Sequence, residues 1–135
     1  SDAVLEHIRD PKLALAKCWE YLKPGGVTLH NIDLRDHYYD YPFEMLTFSD
    51  RIWKRWLNPK GIFHLNRWRA SDYIQAVSNE GFVNVDCLVY LKDEAGLKAI
   101  FPRLDTRFRG MSKEYLSALR ILLYGEKPRI LDDEN

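Results

Sequence analysis

The stretch that decides the fold runs from residue 10 to residue 32. Asp10-Pro11 opens it, and Leu15, Trp19 and Leu22 mark it at helical spacing. Lys23-Pro24-Gly25-Gly26-Val27-Thr28-Leu29-His30-Asn31-Ile32 closes it. Asp is a good N-cap, and proline suits the first helical position because its missing N–H has no partner to lose there. Lys12, Lys17 and Glu20 fall outside the apolar stripe, as a half-buried helix requires. Pro24 cannot continue the helix, and the glycines after it can take a left-handed cap. The run Val27 to Ile32 has strand length and no clean alternation, which suits a strand covered on both faces. Helix, two-glycine turn and strand form the second half of a βαβ crossover. The strand expected before the helix is missing.

Working outward, Asp33 to Pro42 reads as a loop rich in charge and tyrosine. A helix is expected from about Ser49, with Ile52, Trp53, Trp56 and Leu57 on one face and a stop at Asn58-Pro59-Lys60-Gly61. Ser71 caps a further helix, with Ile74 and Val77 inward and Gly81 as terminator. Val83, Val85, Cys87 and Val89 alternate with Asn84, Asp86 and Leu88, the signature of a half-buried strand. Loop and helix follow from Pro102 to Tyr115. A last strand is expected over Leu119 to Tyr124, and Asp132-Asp133-Glu134-Asn135 reads as a frayed acidic tail.

At 135 residues the chain suits one domain, and its 46% apolar content supplies a core. Twenty Lys+Arg against twenty Asp+Glu leave no net charge, which argues against a generally basic nucleic-acid binder. No run of about 18 apolar residues exists to span a bilayer. The start, Ser1 to His7, lacks the pattern of a signal peptide. Cys18 and Cys87 have no C-x-x-C spacing and fit incidental thiols in a reduced, cytoplasmic protein.

Ser1-Asp2-Ala3-Val4-Leu5-Glu6-His7-Ile8, then Asp10-Pro11, then Leu22-Lys23-Pro24-Gly25-Gly26 resembles the stretch after the fourth strand of class I S-adenosylmethionine-dependent methyltransferases. In that family a V-L-E-H turn leads into a helix, and L-K-P-G-G introduces the fifth strand. Ile32-Asp33-Leu34-Arg35-Asp36-His37, Asn66-Arg67, Arg69-Ala70-Ser71-Asp72 and Glu80-Gly81-Phe82 resemble uncharacterised bacterial members. Leu122-Leu123-Tyr124-Gly125-Glu126-Lys127-Pro128 is similar to the family's final strand. The resemblance covers nearly the whole chain but only the C-terminal half of the family's domain. It implies an α/β fold: half of a Rossmann-like sheet with one parallel strand, then two antiparallel strands, and helices on the faces. Residues 1–135 are then a single partial domain, with 42–69 as a lid or substrate-side insertion. In the family's strand order the edge near Leu29 adjoins the missing fourth strand, an exposed edge through which the chain is expected to dimerise.

The family's cofactor is S-adenosylmethionine, gripped by a G-x-G-x-G loop whose glycines let the backbone approach the ligand. This chain contains no G-x-G. Alone it is expected not to bind the cofactor with native affinity, and its N-terminal half is an implied partner. By resemblance, Ser1, Asp2, Ala3 and Val4 border the methionine end of the cofactor. Ubiquinone-type O-methyltransferases carry E-x-x-E-H here. With Ala3 where the first glutamate belongs, no metal is expected, and His7 is expected to cap or pack locally.

Asp33, Arg35, Asp36 and His37 leave the C-terminal end of a strand, where open α/β sheets place their sites. Imidazole titrates ordinarily near pH 6.5, so His37 can accept a proton from a hydroxyl acceptor, oriented by Asp36 or Asp33. Asp33, Arg35, Arg67 and Arg69 are the candidate substrate contacts; a solvated charged loop explains the first two equally. Between residues 51 and 69, Arg51, Lys54, Arg55, Lys60, Arg67 and Arg69 interleave with Trp53, Trp56, Phe63 and Trp68. That pattern fits a lid with a wet basic face, a site for a small anion, or, less directly, stacking on nucleic acid. The expected function is methyl transfer to a small acceptor, anionic by the arginines and oxygen-centred by His37. The alternative is a non-catalytic interaction module that kept the second half of the fold.

Overall fold

The computed structural model describes residues 1–57 and 64–129. Its regular elements are α1 (Pro11–Tyr21), β1 (Val27–Asp33), α2 (Asp50–Ile52), α3 (Ala70–Asn79), β2 (Val83–Lys92), α4 (Glu94–Ile100), α5 (Thr106–Arg109), α6 (Lys113–Ser117) and β3 (Ala118–Glu126), with short 3₁₀ turns between them. Asp10 caps α1 as expected, accepting the Leu13 N–H at 3.0 Å. Gly25 takes φ +77°, the left-handed turn that only glycine adopts freely. Its amide donates to the Lys127 carbonyl, and the Lys127 amide donates back to Gly26. The Lys127 ammonium donates to the carbonyls of Trp19 and Leu22, closing the C-terminal end of α1.

The sheet has the order β1-β3-β2, with β3 central and antiparallel to both neighbours. Ile32, Ile121 and Leu123 point to one face, where Leu15 of α1 and Tyr73, Ala76 and Val77 of α3 bury them. Gly125 lies under α3: an added Cβ would stand 3.0 Å from Val77 Cγ1. The opposite face carries Leu29 and Leu88, about half exposed, and Tyr90, whose hydroxyl donates to Asn31. Among the described residues no helix covers that face. The reading of β1 as a strand covered on both sides is corrected accordingly: Val27 and Leu29 alternate with buried Thr28 and His30.

A second apolar cluster joins Phe43, Met45, Leu46, Trp53 and Leu65 to Leu97, Leu104, Phe108 and Leu116. The segment expected as a lid therefore shares a core with the elements after β2. Here the expected face of Ile52, Trp53, Trp56 and Leu57 does not form. Trp53 to Leu57 winds as a π-helix, and its wider turn buries Trp53 at 2% exposure while leaving Trp56 at 77%. The expected stop at Asn58-Pro59-Lys60-Gly61, together with Phe63 and the acidic tail, lies outside the described residues. Among those described, no helix is long and apolar enough to cross a membrane.

The outer edge of β1 is occupied over a short length. The Asn31 amide donates to the Ser1 carbonyl and the Ala3 amide to the Asn31 carbonyl, both at 2.9 Å, which makes Asp2 a parallel partner of Asn31. The Ser1 nitrogen donates to the Leu29 carbonyl at 2.8 Å.

Candidate functional site

Residues 1–7 run along the β1 edge and turn through Leu5–His7 toward the end of that strand. Where β1 ends, Asp33 meets the loop that follows, in a cleft of about 620 Å³ lined by Asp33, Arg35, Asp36, His37, Asp40, Pro42 and Leu119. Arg35 grips the Asp33 carboxylate in a fork, Nε at 2.9 Å from Oδ1 and Nη2 at 2.6 Å from Oδ2. Arg120, opposite Asp33 in the sheet, adds a contact at 3.3 Å. His37 Nε2 lies 3.9 Å from Asp33 Oδ1. Burial alone would raise the Asp33 carboxyl, but the His37 imidazole and the Arg35 guanidinium outweigh it and hold the acid well below the ordinary range. The cleft therefore holds a fixed anion beside a part-exposed imidazole.

Asp36 has a different task. Its carboxylate accepts the amides of Tyr38, Tyr39 and Met45, the last at 2.7 Å, and ties the loop into a turn. Burial pushes its carboxyl up in spite of those bonds. Asp36 is thus engaged with the loop amides, while Asp33 is the carboxylate 3.9 Å from His37.

The substrate role expected of Arg67 and Arg69 is corrected by their burial, at 2% and 0% exposure. Arg67 donates to the carbonyls of Met45 and Phe48 and pairs with Asp50. Arg69 donates to the carbonyls of Leu34, Leu116 and Ala118. Both guanidinium groups brace the two apolar clusters and stand away from the cleft surface. The sequence reads them as a wet face because charge pattern alone does not reveal a buried guanidinium.

Ser1 to Val4 keep company with β1. The Ser1 hydroxyl meets His30 Nδ1 at 2.8 Å, Asp2 accepts from the Asn31 amide group at 2.8 Å, and Ala3 takes φ +49°. Two residues set aside in the sequence reading adjoin His37. The rings of His7 and His37 stand 5.1 Å apart between centroids. Glu6 is buried, and among the described residues its carboxylate has no side-chain hydrogen-bond partner. Burial raises its carboxyl above the usual range. His7 Nδ1 bonds to the His64 carbonyl at 2.9 Å, a contact between distant parts of the sequence rather than the local one expected.

No family model and no curated protein matches this sequence. Solved structures do. Phosphoethanolamine N-methyltransferase 2 of Haemonchus contortus with S-adenosyl-L-methionine aligns with a TM-score of 0.52 and 14% identity. The same enzyme with phosphomonomethylethanolamine and S-adenosylhomocysteine aligns equally well, at 14% identity and a TM-score of 0.52. Each alignment covers 96% of this chain, which spans about a third of those chains, 32% and 33%. The chain has a Rossmann-like α/β fold, shared with part of these methyltransferase structures.

Proposed function

We propose that the chain is the acceptor-side half of an S-adenosylmethionine-dependent methyltransferase, acting at oxygen on a small anionic acceptor. Asp33 and Arg35 position the acceptor, and His37 takes the hydroxyl proton as the methyl moves. Residues 1–4 border the methionine end of the cofactor, and 42–69 cover the acceptor side. An N-terminal half supplies the glycine-rich loop and the strand whose last residues are Ser1 to Ala3. The observation behind this reading is the parallel pairing of those residues with Asn31, which leads from a sheet edge directly into the acid–imidazole cleft. Ligands of open α/β sheets sit at that end of the strands. The solved neighbours are N-methyltransferases, so the oxygen preference rests on His37 alone.

Calorimetry with S-adenosylhomocysteine tests it. The 135-residue chain alone should give no heat, and the chain joined to a half bearing G-x-G-x-G should bind. In that complete protein His37→Ala should lower turnover more than cofactor affinity; unchanged turnover rejects the base. The absence of G-x-G from the sequence also fits an interaction module, which no added half would make bind the cofactor.

A further inference from the structure

We propose that Glu6, His7 and His37 together bind one divalent transition-metal ion. The fold brings them together from separate places: Glu6 and His7 stand on the turn after the β1 edge, His37 on the loop beyond β1. One donor atom from each lies within 4.8 Å of the others. Ligand bonds near 2.1 Å place two donors up to about 4.2 Å apart, so small side-chain rotations close the set.

Three observations point to a cation. Glu6 is 4% exposed, and among the described residues no side chain is hydrogen-bonded to its carboxylate, which lies near the Glu6 and Asp33 amides. A buried carboxylate left so is costly, and a cation among its neighbours removes the cost. The His64 carbonyl can only accept, which places the His7 proton on Nδ1 and leaves the Nε2 lone pair for the ion. Asp33 flanks His37 at 3.9 Å, the kind of carboxylate neighbour that orients ligating imidazoles.

Two imidazoles and one carboxylate suit zinc, iron, cobalt or manganese. Magnesium and calcium prefer oxygen donors throughout. Of the three ligands His37 lines the cleft, the side from which water can complete the coordination. A metal-bound His37 cannot also take the acceptor's proton, so occupation of this site and the base role proposed above exclude each other at any one time. The binding itself stands on these three side chains and does not require methyl transfer.

Titration of the 135-residue chain with Co²⁺, followed by visible absorption, tests the site without cofactor or acceptor. One Co²⁺ per chain should bind with ligand-field bands, Zn²⁺ should displace it, and a large excess of Mg²⁺ should not. Glu6→Gln and, separately, His37→Ala should each weaken binding at least tenfold. Circular dichroism should show both variants folded, and the part-exposed His37 makes the second the safer test. Absence of the bands, displacement by Mg²⁺, or unchanged affinity in His37→Ala overturns the assignment. Loss of methyl transfer with cobalt binding intact would reject only the proposed function.

Discussion

Ala3 gives its amide to the carbonyl of Asn31 at 2.9 Å, in parallel register, on the outer side of β1. Past that point Val27 and Leu29, each 50% exposed, stand on the same edge strand. An apolar strand edge recruits other strands. At micromolar concentration the 135-residue chain should therefore sediment as a dimer or larger, and Leu29→Lys should shift it toward monomer. A wild-type monomer across that range would show that the edge does not associate.

Arg69→Met should destabilise the fold by roughly 3–5 kcal/mol, because the carbonyls of Leu34, Leu116 and Ala118 would lose their shared donor inside the protein. Arg69→Lys should recover only part of that, since an ammonium lacks the planar fork that reaches several carbonyls. Urea unfolding monitored by tryptophan fluorescence reads both. A loss below 1 kcal/mol in the methionine variant would contradict the bracing role.

Asp33 makes the stability depend on acid. Its folded carboxyl titrates below the unfolded one, so its contribution is fully present above about pH 4 and fades as pH falls toward the folded value. Asp33→Asn should lower stability at pH 7 and flatten the fall between pH 4 and pH 2. Equal slopes in the two proteins would show that the Arg35 and His37 contacts contribute nothing to folding.

His30 acts in a higher window. Burial chiefly lowers its imidazole to about 4, and the hydroxyls of Thr28 and Ser1 hold the two ring nitrogens. The unfolded imidazole takes its proton first, so stability should fall from pH 6.5 down to about pH 4 and no further on its account. The loss is of order 3 kcal/mol. His30→Gln should remove that slope while keeping the polar contacts; a slope surviving in the variant would assign it to another group.

Local chemistry made α1, its Asp10 cap and the Gly25 turn legible, because each depends on neighbours within a few residues. Asp33 and Arg35 stand out in the sequence as candidate substrate contacts, but their pairing with each other is seen only in the structure. Trp56 was not legible: period 3.6 puts it beside Trp53, and the π-turn changes the period. Arg67 and Arg69 misled because burial of a guanidinium is decided by distant carbonyls. Glu6 and His7 stand out in the sequence as the E-H of an E-x-x-E-H pattern that Ala3 breaks; His37, thirty residues on, joins them only because the loop after β1 returns it to the same place.

The ammonium of Lys127 reaches carbonyls at the end of α1 across 108 and 105 positions of sequence. An eleven-residue helix has little persistence by itself in water. During synthesis, then, the first helix leaves the ribosome long before the residue that latches it, and the latch arrives only when the closing strand does. Assembly of this chain should be late and all-or-none, so a nascent polypeptide stalled before Gly125 should remain open to proteases that ignore the finished protein.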